Sequence, residues 1–150
     1  DLFGLEIVQC LMSRSWSCRE SGVLSIIENI SDLEVGSRSV SRRGLKERTK
    51  SVINIKKMAL SQSYPIVLAL IHDLLRDPVL KLYLVTLQLM QHILPIYADV
   101  KSDDTSKSLC RIVATIFRKT GDSKLKTRDA SSNMLLFLSH QSQIGAMIIF

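Results

Sequence analysis

Apolar residues recur at helical spacing along most of the chain, and the first two runs of this pattern stand close together. The first run predicts a helix over residues 2–13, and its apolar members are Leu5, Val8 and Met12. The second run predicts a helix over residues 17–30, with the apolar members Val23, Ile26, Ile27 and Ile30. Ser15 or Ser17 can cap the second helix. Because so few residues join the two helices, we expect them to pack antiparallel as a hairpin.

A polar stretch rich in serine and glycine follows over residues 31–44 and predicts a loop. A sparse apolar stripe then predicts a helix over residues 45–61. The most basic part of the chain, residues 38–57, overlaps this helix, and its cations include Arg42, Arg43, Lys46, Arg48 and Lys50. Two interpretations stay open, a solvated face with a charge bias or a patch for an acidic partner.

A second helix pair is predicted around the short turn at residues 76–79. Its first helix begins at Tyr64-Pro65, where a proline costs no helical hydrogen bond, and its return helix ends near Tyr97. Asp77 in the turn can cap the return helix. The apolar members of the two helices are Val67, Leu70, Ile71, Leu74 and Leu75, followed by Leu80, Leu84, Leu87, Met90, Ile93 and Leu94.

A third pair follows a polar stretch at residues 99–108, which we predict to be a loop. The stripes of its two helices are Leu109, Ile112, Val113, Ile116 and Phe117, and then Ala130, Met134, Phe137 and Leu138. A short turn at residues 119–124 separates them. Residues 140–142 end the pair, and an incomplete helix begins at Gln143.

The turns of the three pairs lie at Trp16, Asp77 and Asp122. The last two are separated by about 45 residues, which is the period of HEAT or armadillo-like helical repeats. We therefore predict an all-α fold, an α-solenoid of stacked antiparallel helix pairs. Because such repeats stack side by side, the three turns should emerge along one edge of the array.

Composition agrees with packed helices. The 150 residues suit a single domain, 1–150, and are 46% hydrophobic but only 5% aromatic, with 6 glycines and 3 prolines.

No apolar run is long enough to span a bilayer, so we expect no membrane segment. The chain opens almost directly on a helix pattern and closes on an apolar stretch without a stop signal. We therefore expect a domain excised from a longer protein.

The net charge of +6 indicates an acidic partner, which could be nucleic acid, anionic lipid or an acidic protein.

The 3 cysteines and 3 histidines do not have disulfide or metal-ligand spacing, so we expect no metal. We interpret the cysteines as small apolar residues of a reducing compartment. No phosphate loop, metalloprotease motif or nucleophile elbow occurs in the sequence. We therefore predict a protein that is not an enzyme and uses no cofactor.

Trp16 is the only tryptophan and stands in a tight, polar turn between two helices. Aromatic residues with a nearby arginine are typical of binding hot spots. The competing interpretation is an indole that folds back over the helix pair as a lid. Spacing alone does not choose between them.

The first turn, Ser15-Trp16-Ser17-Cys18-Arg19-Glu20, resembles that of TOG domains, the HEAT-repeat arrays of microtubule regulators. In that family a tryptophan in the first turn is followed by a basic residue that opens the second helix. The third turn is similar to later TOG turns, and the whole is most like the short arrays of centrosomal and ciliary-tip proteins. Asp122 and Arg128 resemble the structural ladder of HEAT repeats, whereas Tyr83 stands where the second pair would carry its arginine.

This resemblance implies binding of the αβ-tubulin heterodimer through the turn edge, in the cytoplasm at the cytoskeleton, centriole or cilium. Its implied contacts are Trp16, Arg19, Arg76, Lys81, Lys119, Lys124 and Lys126. Ser17 replaces a common basic residue, which implies weaker binding. Three pairs stand where TOG domains usually have about six repeats, which implies either weaker binding or further repeats in the longer protein from which we expect this domain to be excised. We expect the isolated domain to be monomeric.

Two rival functions use the basic part of the chain instead, the helix predicted at 45–61 in the first and residues 38–57 in the second. In the first, a generic HEAT-like adaptor binds an acidic or helical peptide, and Trp16 is structural. In the second, residues 38–57 bind nucleic acid, which we rank last because no aromatic residues are interleaved for base stacking.

Overall fold

A computed structural model describes residues 4–38, 64–96 and 103–141. This part of the chain contains six helices and no strand, which confirms the all-α prediction. The helices are α1 (Leu5–Leu11), α2 (Trp16–Arg38), α3 (64–74), α4 (Leu80–Ile96), α5 (Asp103–Lys119) and α6 (Leu125–Ser139). None of the helices described is long and apolar enough to cross a membrane.

The chain divides into two compact units, Asp1–Tyr64 and Pro65–Phe150. In the first unit α1 packs against α2, as the hairpin prediction requires. The predicted loop at 31–44 is wrong over residues 31–38, because α2 continues to Arg38. A single glycine inside a helix costs only about 1 kcal/mol, and no proline interrupts this stretch. The predicted helix at 45–61 lies outside the described residues.

The side of α1 that faces α2 differs from the prediction. Leu5, Val8 and Met12 are 65%, 45% and 82% exposed, so the predicted apolar stripe is not the packing face. Cys10 and Leu11 approach the backbone of α2 at Gly22 instead. A Cβ placed on Gly22 would lie 3.1 Å from Cys10 Cβ and 3.2 Å from the Leu11 side chain. The missing side chain therefore permits the close contact between the two helices.

In the second unit α6 packs against both α4 and α5. The stripe predicted for α3 is confirmed at four of its positions, Val67, Ile71, Leu74 and Leu75, of which Leu75 lies just after the helix. Tyr64 and Leu68 of α3 are buried as well. The buried residues of α4 are Leu82, Tyr83, Thr86, Leu87, Leu89, Met90, Ile93 and Leu94. This helix is buried on much of its circumference, which explains why its sequence is apolar almost throughout.

The third pair differs from prediction at both helices. The loop predicted at 99–108 is wrong from Asp103 onward, where α5 begins with acidic residues that suit the positive end of a helix dipole. The predicted core stripe includes Phe117, which is 66% exposed, so the prediction is wrong at this residue. Threonine and serine take core positions instead, and the buried polar residues of α5 and α6 are Thr105, Thr115, Thr127 and Ser131. The hydroxyls of Thr115 and Ser131 can be buried there because they donate to the helix carbonyls of Arg111 and Thr127.

Candidate functional site at the turns between helices

The first turn carries Trp16 as the first residue of α2, and this residue is 42% exposed. Arg19 lies three residues after Trp16 on α2, and its side chain extends back over the segment between α1 and α2. Its Nη1 donates hydrogen bonds to the carbonyl oxygens of Ser13 at 2.8 Å and Arg14 at 3.0 Å. Arg19 therefore braces the segment that precedes Trp16.

Serine hydroxyls add further bonds within this turn. The Ser15 N–H donates to Ser13 Oγ at 3.1 Å, and the hydroxyls of Ser15 and Ser17 lie 2.9 Å apart at hydrogen-bond distance. Ser15 immediately precedes α2, where one of the predicted caps was placed. The polar groups of the turn thus bond to one another, and the partly exposed indole of Trp16 follows this hydrogen-bonded segment.

The second turn is organised by Asp77. Its Oδ1 accepts a hydrogen bond from the Val79 N–H at 2.9 Å, in an Asx turn that ends one residue before α4. The capping of the return helix by Asp77 stays a prediction. Arg76 and Lys81 flank this turn, and both are exposed.

The third turn is organised by Asp122 in the same way. Its Oδ1 accepts a hydrogen bond from the Lys124 N–H at 3.0 Å, and its Oδ2 lies 3.7 Å from Lys119 Nζ. The Lys124 N–H bond, followed by the charges of Lys119 and Lys124, lowers the pKa of the Asp122 carboxyl below its usual value. Lys124 and Lys126 are exposed at the start of α6, whereas Lys119 is half-buried.

Tyr83 connects this turn to the core, a role that sequence reasoning missed. Its hydroxyl donates to Ser131 Oγ at 2.7 Å, because Ser131 itself donates to the Thr127 carbonyl at 2.6 Å. Lys119 Nζ stands 5.7 Å from the centre of the Tyr83 ring, within cation–π range. Burial raises the pKa of the Tyr83 hydroxyl. The sequence offered one indication of this role: Tyr83 stands six residues after Asp77, at the position where the HEAT pattern carries an arginine.

The structural ladder predicted from Asp122 and Arg128 stays a prediction. Asp122 has Lys119 as its ionic partner, and no ion pair joins it to Arg128 among the described residues. Arg128 is exposed on the first turns of α6.

The second and third turns meet at a shared cleft of about 600 Å³. Its lining residues are His72, Arg76, Thr115, Arg118 and Lys119. Two of the predicted contact residues, Arg76 and Lys119, are therefore brought together. Trp16 and Arg19 belong to the other compact unit, and their alignment with these turns stays a prediction.

The secondary basic patch of Arg42, Arg43, Lys46, Arg48 and Lys50 lies outside the described residues. Within the described part of the chain, no three His, Cys, Asp or Glu side chains form a group that could hold a metal ion.

Comparisons with known proteins agree with the resemblance of the first turn. The family model described as the TOG domain of centrosomal protein CEP104 matches residues 1–147. A solved structure described as the CEP104 TOG domain is similar to this chain, with a TM-score of 0.65 at 20% identity. The similarity covers 95% of this chain and 50% of that one, so this chain spans half the length of its structural relative. At this identity the structural likeness shows the fold alone. No curated protein matches the chain.

Proposed function

Because the chain belongs to the CEP104 TOG domain family, we propose that it binds the αβ-tubulin heterodimer through the turns between its paired helices. TOG domains are binding modules related to tubulin and microtubules, and they are not a known enzyme family. The observation that carries the proposal is the exposure of Trp16, 42%, on a turn that Arg19 braces.

In this proposal Trp16 is the apolar anchor of the interface. Large aromatic residues dominate interface energetics when a partner covers them, and an ordered turn reduces the entropy lost on binding. Arg19 acts by holding the turn through its bonds to the Ser13 and Arg14 carbonyls.

The cations of the second and third turns supply the electrostatic part of the interaction. Tubulin is acidic, and the chain carries a net charge of +6. Complementary charge accelerates association and orients the partner. The residues assigned to this role are Arg76, Lys81, Lys119, Lys124 and Lys126.

The proposed setting follows from the family. CEP104 is described as a centrosomal protein, and we place this chain in the cytoplasm, at the cytoskeleton and at the centriole or cilium. The domain acts as a monomeric module of a microtubule or ciliary-tip regulator.

Substitution of Trp16 tests the proposal. We expect Trp16→Ala to cost about 2 kcal/mol of binding free energy, or about thirtyfold in Kd for tubulin, because it removes the anchor. Leu24→Ala is the matched control, since Leu24 lies on the same helix and is 41% exposed. Gel filtration with purified tubulin gives the readout, and circular dichroism checks that both variants stay folded. Unchanged co-migration of Trp16→Ala with tubulin contradicts the proposal.

A further inference from the structure

The cleft between the end of α3 and the end of α5 has no assigned role beyond the two residues already named. His72 and Arg76 line one side, and Thr115, Arg118 and Lys119 line the other. Its volume of about 600 Å³ lies within the range of small-ligand sites, so it can admit side chains of a partner.

The charge of the cleft is strongly one-sided. Two carboxylates lie beside lining residues of the cleft: Asp122 Oδ2 is 3.7 Å from Lys119 Nζ, and Asp73 Oδ1 is 3.8 Å from His72 Nδ1. Among the described residues, neither Arg76 nor Arg118 has a carboxylate partner. Two arginines therefore line one cleft without a carboxylate partner from the described residues.

The orientation of Arg118 is set by its own helix. Its Nε donates to the Ala114 carbonyl at 3.2 Å, which leaves the two terminal nitrogens for other acceptors. Thr115 offers no competing donor, because its hydroxyl donates to the Arg111 carbonyl at 2.9 Å and the residue is 7% exposed. Lys119 is held between Asp122 and the Tyr83 ring and contributes a fixed positive charge.

We propose that this cleft is a carboxylate-binding site that takes Asp or Glu side chains from an acidic peptide segment of the protein partner. A guanidinium group matches the planar carboxylate with two parallel hydrogen bonds, which a lysine cannot provide. The inference deepens the proposed function and rests on it for the identity of the partner, because Arg76 and Lys119 belong to both. Arg118 is its new contact residue.

A labelled oligoglutamate peptide tests the cleft directly by fluorescence anisotropy with the whole 150-residue chain. We expect Arg76→Gln or Arg118→Gln to raise the Kd about threefold each, and the double substitution about tenfold, as for partly exposed charge-assisted pairs. Arg111→Gln is the control for lost charge, since Arg111 is an exposed residue of the same helix that does not line the cleft.

Arg118→Lys tests whether the cleft needs the two parallel hydrogen bonds of a guanidinium group or only a positive charge. It retains the cation but loses the two parallel bonds, so we expect a weakening close to that of Arg118→Gln. Equal affinity of the wild-type chain and the double variant overturns the proposal. Binding of a phosphoserine peptide without binding of the glutamate peptide overturns it as well.

The variant Trp16→Ala distinguishes the proposed tubulin binding from the proposed carboxylate site. It should remove tubulin binding while leaving the affinity for oligoglutamate unchanged. If the wild-type chain binds tubulin through Trp16 but does not bind the peptide, the cleft proposal alone fails. If it binds the peptide through Arg76 and Arg118 but does not bind tubulin, the proposed function alone fails.

Discussion

Tyr83 shows how one side chain can contribute both to the core and to the third turn. It is 2% exposed, its hydroxyl bonds to Ser131, and its ring lies beneath the ammonium group of Lys119. An arginine at this position would have brought a charge that must be paired. The tyrosine instead buries its ring, and Lys119 supplies the cation beside Asp122.

Removal of the Tyr83 hydroxyl should destabilise the fold measurably. We expect Tyr83→Phe to lower the free energy of unfolding by about 1 kcal/mol, the usual net contribution of a buried hydrogen bond. Urea denaturation measures the change. Ser131→Ala should have a similar effect, and the double variant should cost less than the sum, since both remove the same bond. If the losses of unfolding free energy in the two single variants add up in the double variant, the hydrogen bond between Tyr83 and Ser131 contributes nothing to stability.

Asp122 should make stability depend on acidic pH. Its pKa is lowered in the folded state, so its contribution is present above the unfolded value of about 3.9 and is lost as the pH falls through the folded pKa. Asp122→Asn retains an oxygen that can accept the Lys124 N–H but removes the charge. We expect this variant to lose less stability than the wild type between neutral pH and strongly acidic pH.

Thermal unfolding across that pH range measures the difference. Asp129→Asn, an exposed aspartate on α6, serves as the control and should retain the acid dependence of the wild type. Parallel pH profiles of the wild type and Asp122→Asn would contradict the expectation.

At the scale of the elements, helix positions were easier to predict than the sides on which helices pack. The periodicity located part of every described helix, but it assigned Leu5, Val8 and Met12 to the packing face of α1. A seven-residue helix offers only two turns of pattern, and the contact at Gly22 decides the face instead. Glycine contributes no hydrophobicity to a sequence pattern, although its lack of a side chain permits helices to approach.

Gly22 therefore gives the sharpest test of the α1–α2 contact. We expect Gly22→Val to destabilise the first unit by about 1–3 kcal/mol, because the added atoms collide with Cys10 and Leu11. Ser21→Val is the control: it places the same β-branched residue at an exposed position of the same helix. Denaturation followed by tryptophan fluorescence reports on Trp16 directly. Equal stability of the two variants would argue against close packing at Gly22.

At the scale of the whole molecule, the positive charge should make the proposed tubulin binding sensitive to salt. Exposed charges are screened over about 8 Å at physiological ionic strength, whereas the apolar contact of Trp16 is not. We expect the association rate to fall as salt rises, with a smaller change in the dissociation rate. Stopped-flow or surface-based kinetics at several salt concentrations measures both rates. A salt-independent association rate would exclude the cations of the turns from the interaction.

The linear pattern was sufficient to identify the paired helices and the turns at Trp16, Asp77 and Asp122, because these features depend on residues within one or two helical turns. It could not reveal that Tyr83 meets Ser131, that Phe117 is exposed, or that Arg118 shares a cleft with Arg76. Such contacts join residues that are distant along the chain. Packing between helices decides them, since burial and counter-charges come from neighbours that only the folded chain brings together.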